Sequence, residues 1–236
     1  MTLDKNIDDF MIKKIWISLI RFGFRLLYYE MAWTYDVVSW VVSLGEWSAW
    51  QRAALPYLGG RRVLEIGHGP GHMLIDLQEA GYTVVGVDLS PTMGRMARKN
   101  LRKKGVPSKL VRSKVQDLPF AAGSFETILS TFPTDYIVDP ATVAALWRVL
   151  EENGRIVIIP EGHLIGYGVV HKLIDLLFRL TGQGGGASLR DDAFWQNPEL
   201  WDVFRQPFEE AGFTFRNEYQ RLAKSGVTIL IAEKLM

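Results

Sequence analysis

Gly67, Gly69 and Gly71 stand on alternate positions directly after the apolar run that begins at Val63, in the stretch VLEIGHGPGH. Residues without side chains at such a turn let a ligand approach the backbone, and a strand followed by a glycine turn and a helix is where an open α/β sheet accepts one. A dinucleotide fingerprint, G-x-G-x-x-G, is not met, because His72 occupies the place of its third glycine. A phosphate-cradling P-loop is excluded as well, since no Gly-Lys-Ser/Thr follows. Metal chemistry finds no support either. The chain has no cysteine, and its four histidines, His68, His72, His163 and His171, are too scattered for a ligand set.

The elements that would position this turn read as alternating strands and helices. In 236 residues that are 48% apolar there is enough material for a well-filled core. The 27 Lys and Arg nearly balance the 26 Asp and Glu, so no global field draws the protein onto nucleic acid. From Arg61 to Pro160, β-branched runs alternate with helical patterns, the signature of βα units and a parallel sheet. The predicted strands are RVLEI, TVVGVD, SKLVRS, FETILST and GRIVIIP, and FTFRNEYQ and GVTILIAEK form a terminal antiparallel pair. Helices are announced by a capping residue before proline at Ser90-Pro91, Asp139-Pro140 and Asn197-Pro198. The expected organisation is a helical extension over 1–58 and an α/β domain over 59–236, with 161–196 as an inserted excursion.

Glu65-x-Gly67-x-Gly69-x-Gly71 resembles the first motif of the class I S-adenosylmethionine-dependent methyltransferases. Asp88, ending the second strand 23 residues after Glu65, and the segment VQDLPFAAGSFETILST, similar to that family's Leu-Pro-Phe region and fourth strand, follow in the right order. The segment YDVVSWVVSLGEWSAWQR, Tyr35 to Arg52, resembles the one preceding this motif in the ubiquinone/menaquinone biosynthesis C-methyltransferases; phospholipid N-methyltransferases have a looser version. The resemblance implies a Rossmann-like α/β fold with a seven-stranded, mostly parallel sheet, its last strand antiparallel, and helices on both faces. It implies S-adenosyl-L-methionine as cofactor and S-adenosyl-L-homocysteine as product. The cofactor-binding residues would be Tyr35, Glu65, Gly67, His68, Gly69, Gly71, Asp88, Leu89, Met93, Val115, Gln116, Asp117, Ser130 and Thr131, with Asp88 accepting the ribose hydroxyls. One departure is Lys114, where many relatives place an acid for the adenine amino group; an ammonium only donates, so that contact moves to the Val115 backbone and Gln116.

The substrate side is read from softer signals. Residues 11–29 form a basic amphipathic helix, with Lys14, Ser18, Arg21 and Arg25 on one stripe, that either lies on a membrane surface or packs as a lid. Residues 163–180 form a second amphipathic piece, inside the 161–196 stretch where the resemblance implies a substrate cover. Together they suggest a hydrophobic small-molecule acceptor, a quinone-like ring or a lipid headgroup. The alternatives are a soluble metabolite as acceptor, or a non-catalytic cofactor-binding membrane adaptor. For a phenolic ring carbon a base must remove the phenol proton, and the catalytic candidates are Asp135, Tyr136 and His163. The basic helix GRMARKNLRKKG lacks the aromatics of a base-stacking surface, so no nucleic acid partner is expected. Without a secretory signal or a run of about 18 apolar residues, the expected location is cytoplasmic, at most peripheral on the inner face of the membrane.

Overall fold

A computed structural model of the chain describes residues 39–41, 43–107, 109–165 and 192–235. The helix expected over 11–29, most of the 163–180 piece and Tyr35 lie outside these residues. Strands β1 (Arg62–Ile66), β2 (Thr83–Val87), β3 (Lys109–Val111), β4 (Phe125–Thr131) and β5 (Leu150–Ile159) run parallel in the order β3-β2-β1-β4-β5. The terminal strands β7 (Phe213–Arg221) and β8 (Ser225–Lys234) pair antiparallel, and β8 lies antiparallel against β5.

The sheet has eight strands because the fifth ribbon is interrupted at Pro160-Glu161 and resumes as β6 (Gly162–Leu164). Along β8, β5 takes Leu230–Glu233 and β6 takes Ser225–Val227, while β7 covers the opposite edge. Part of the stretch read as a substrate cover is therefore sheet. The ribbon passes this close to Trp50 only because residue 162 is glycine, since a Cβ there would lie 2.2 Å from the indole.

Helices α1 (Trp47–Arg52), α2 (His72–Glu79), α3 (Pro91–Lys103), α4 (Pro140–Val149), α5 (Asp192–Gln196) and α6 (Asp202–Glu210) cover the two faces. Alternation along the strands divides the core. Leu64, Ile66, Ile128, Ile156 and Ile158 meet α4 to α6, and Val63, Leu129, Val157 and Ile159 meet α1 to α3. The caps read from the sequence hold: Ser90 Oγ accepts from Met93 N, Asp139 from Ala141 N and Asn197 from Glu199 N. Two element boundaries differ from expectation. The run beginning at Pro198 opens as a 3₁₀ turn, Pro198–Trp201, before α6. Strand β5 starts at Leu150, where a register shift and a left-handed Asn153 (φ 61°) let ENGR stay in the sheet.

Candidate active site

The carboxyl ends of β1, β2 and β4 meet at the glycine turn. Gly67 and His68 donate to Val87 O (2.7 and 3.3 Å), and Gly71 donates to His68 O, which folds the turn back on β2. All three glycines are left-handed, with φ of 69°, 52° and 83°, yet their surroundings differ. A Cβ on Gly67 would sit 2.9 Å from the Tyr136 hydroxyl, and one on Gly71 would sit 2.9 Å from Ala97 Cβ, where α2 and α3 pack. One on Gly69 would meet nothing within 4 Å, so this residue faces open space. Of the three, Gly69 is the one with room for a ligand to approach the backbone.

Asp88 closes the turn from below. Its Oδ2 accepts from Gly69 N (2.9 Å) and its Oδ1 from Ser90 N (2.7 Å), while Ser90 caps α3. The carboxylate is thus oriented by backbone, only half-buried, and retains lone pairs for a diol. Leu89, beside it, is exposed, and Arg112 Nε donates to its carbonyl at 3.1 Å; Met93 is buried under the start of α3.

His68 is buried, and its Nδ1 lies 2.8 Å from Gly69 O; a carbonyl only accepts, so Nδ1 carries the proton. Burial lowers its pKa against the opposing pull of Asp88 and the Gly69 carbonyl, which keeps the ring neutral. It braces the turn against Gly86 rather than offering a charge.

Glu65 is 1% exposed, and its Oε2 has no hydrogen-bond partner. Burial first, then the like charges of Asp88 and Asp76, push its carboxyl well above the usual carboxylate range. A group raised in this way contributes stability that is full below its unfolded value and is lost as pH rises through the folded value. Glu65→Gln should therefore raise Tm relative to the wild type at pH 8, by roughly 2–4 °C per kcal/mol relieved, and by less at pH 5. Equal differences at both pH values would show that folding does not raise the Glu65 pKa.

On the other side of the turn, Ser130 is fully buried, its hydroxyl 3.4 Å from Tyr136 Oη and 3.5 Å from Ile66 O. Thr131 accepts from Gln51 Nε2 at 3.0 Å, which ties α1 to the end of β4. Phe132, next in sequence, has φ 53°, a conformation in which a bulky residue is rare. Its amide donates to Ile159 O (2.7 Å), and its ring packs on Trp47 (centroids 4.0 Å) and edge-on to Trp50. That turn sends the chain back so that Tyr136, in the 3₁₀ turn Asp135–Val138, overhangs Gly67. Val115 is buried, Gln116 half-buried and Asp117 exposed in the 3₁₀ turn Val115–Asp117, and Lys114 is exposed.

The structure gathers Glu65, the glycine turn, Asp88, Ser130, Thr131 and Tyr136 around the ends of three neighbouring strands. Asp135 is exposed in the same turn as Tyr136. His163 is apart, on β6, buried with its ring stacked on Trp195 (4.3 Å, 12°) and Nε2 3.2 Å from Tyr219 Oη. Gln51 and Phe132 escaped the sequence reading. Neither a lone glutamine in an aromatic segment nor a left-handed phenylalanine leaves a pattern.

An open sheet with a bare turn over β1 and an oriented carboxylate after β2 defines a nucleoside-binding α/β protein. Residues 63–154 match the family described as methyltransferase domain. The chain is 30% identical over 206 residues to the ubiquinone/menaquinone biosynthesis C-methyltransferase of Citrifermentans bemidjiense, covering 80% of this chain and 87% of that one. It is 27% identical over 209 residues to the demethylmenaquinone methyltransferase of Thermus thermophilus, covering 81% and 93%. Among solved structures, the fold matches geranyl diphosphate methyltransferase in complex with GPP and sinefungin (TM-score 0.56, 14% identity, 80% and 79% covered). It also matches phosphoethanolamine N-methyltransferase 2 of Haemonchus contortus (TM-score 0.55, 16% identity, 81% and 53% covered). The chain belongs to the class I S-adenosylmethionine-dependent methyltransferases. Its cofactor is S-adenosylmethionine, and the residues present fit that group: open space at Gly69, a half-buried carboxylate for the ribose and an orphaned buried carboxyl oxygen at Glu65.

Proposed function

We propose that this methyltransferase acts on a hydrophobic ring-bearing small molecule of the quinone type, and that Tyr136 is the group facing the acceptor. The observation that carries the assignment to Tyr136 is its hydroxyl, held beside Ser130 and directly over Gly67, with the half-buried rings of Trp47 and Phe132 bordering the end of β4. The names of the quinone-biosynthesis relatives supply the acceptor class.

When bound, the cofactor supplies an electrophilic methyl on a sulfonium. The chain's own contribution is alignment and dryness, worth several kcal/mol in well-oriented cases. Gly69 and its neighbours fix the approach, Asp88 takes the ribose diol, and Thr131 and Phe132, held by α1, set the far rim. The Tyr136 hydroxyl holds the acceptor's oxygen, and Asp135, exposed in the same turn, takes the proton that a phenolic acceptor must lose. In this reading residues 1–58 form the extension whose Tyr35 closes over the cofactor, 161–196 belong to the substrate side, and His163 anchors β6.

Incubation with labelled S-adenosylmethionine and a lipid extract tests the assignment. Label is expected in the quinone fraction, and Tyr136→Phe is expected to lower kcat by about 100-fold, the low end for removing a hydrogen-bond donor to a developing oxyanion, with S-adenosylhomocysteine affinity within about threefold of wild type. Label confined to water-soluble products would contradict the acceptor class, and an unchanged kcat would remove Tyr136.

A further inference from the structure

The sheet's β3 edge carries a charge distribution that methyl transfer does not use. Between Leu89 and Gln116 there is no acidic and no aromatic residue. On α3, Arg95, Arg98, Lys99, Arg102 and Lys103 recur at spacings of three, one, three and one, all exposed, opposite the buried Met93, Ala97 and Leu101. Lys104 continues this stripe at the C-cap, and Lys109, Arg112 and Lys114 are exposed on and just beyond the edge strand. Among the described residues none of these nine cations forms an ion pair. The whole chain is close to neutral, so the remainder of the sequence carries an excess of acids.

We infer that this basic edge is a docking surface for an anionic phospholipid bilayer. The inference rests on the hydrophobic-acceptor reading, because a quinone-type acceptor resides in a bilayer. Charge complementarity selects the partner. Each exposed cation near an anionic leaflet adds about 1 kcal/mol within a Debye length, so a block without compensating acids suffices for reversible attachment. Shielding a free strand edge from pairing needs a lysine or two, not a whole unmatched helix face. Nucleic acid offers phosphates too, but nothing on this edge stacks on bases. The location also fits: the block opens at Leu89, exposed beside Asp88, and Arg112 reaches back to the Leu89 carbonyl, so attachment along this edge brings the nucleoside end of the site to the surface.

Full-length protein would be co-floated with vesicles of phosphatidylcholine alone and of phosphatidylcholine mixed with phosphatidylglycerol. Binding is expected only to the mixed vesicles and to fall with added salt. The variant R98E/K99E/R102E/K103E is expected to lose vesicle affinity by more than about tenfold, and the milder R102Q/K103Q by a few-fold. Both should keep wild-type S-adenosylhomocysteine affinity, which certifies the fold. Vesicle binding independent of lipid charge, or equal in the wild type and the fourfold variant, overturns the inference and assigns any attachment elsewhere, residues 11–29 included. Selective loss of binding to a short RNA duplex, with no charge-dependent vesicle binding, overturns it in favour of nucleic acid. Failure of the acceptor reading is distinguishable, because transfer to a detergent-dispersed quinone would then be absent from wild type and variants alike.

Discussion

Asp88→Ala should lower affinity for S-adenosylhomocysteine by roughly 100-fold to 10,000-fold. In the proposed cofactor pose, two charge-assisted hydrogen bonds to the ribose hydroxyls, each about 1.5–3 kcal/mol, would disappear together. The loss extends to the protein itself, because the same carboxylate accepts from Gly69 N and Ser90 N and so shapes the turn on which the ligand lies. Asp88→Asn keeps one amide oxygen as acceptor but loses the charge, and should fall between the two. Calorimetric titration reads all three proteins. An alanine variant within a few-fold of wild type would mean that Asp88 only caps α3, a task that Ser90 Oγ already performs for Met93 N.

The second large effect separates two glycines that look equivalent in the sequence. At Gly71 an alanine meets Ala97 Cβ at 2.9 Å and Ala97 Cα at 3.1 Å, in a left-handed backbone. Steric strain of about 1–2 kcal/mol from the backbone and about 1–3 from overpacking should lower stability by about 2–5 kcal/mol, whether or not ligand is present. At Gly69 the added methyl enters open space, so only the backbone strain of about 1–2 kcal/mol falls on the free protein. The methyl then occupies the ligand's approach. Gly69→Ala should therefore fold with a modest Tm loss and bind cofactor poorly, whereas Gly71→Ala should be lost at the folding step. Denaturant unfolding and titration of both variants check this; the reverse pattern would place the ligand elsewhere.

The sheet was legible where side-chain period and turn residues agree. RVLEI and FETILST are β1 and β4 end to end, and each proline-led helix has its cap. The site was legible as far as it depends on composition: three glycines, and a carboxylate after the second strand. Features that depend on tertiary neighbours were not. Asn153 adopts a left-handed conformation that carries β5 back to Leu150, although the strand read from the sequence, GRIVIIP, begins only at Gly154. The break at Pro160-Glu161 yields β6 because β8 is long enough to pair both pieces. Phe132 takes a strained φ because Trp47, Trp50 and the Ile159 carbonyl hold it, and Gln51 reaches Thr131 only once α1 is docked. His163 stands near a strand end in the sequence, yet the strand is β6 and its ring stacks on Trp195 in the core.

A crystal structure of the full chain with S-adenosylhomocysteine tests the central claim most directly. The account predicts the ribose diol on the Asp88 carboxylate and the amino acid end along Gly67 to Gly71, with Gly69 in closest approach. Ligand density at any other place, or an occupied site in which Asp88 still contacts only Gly69 and Ser90, would contradict it.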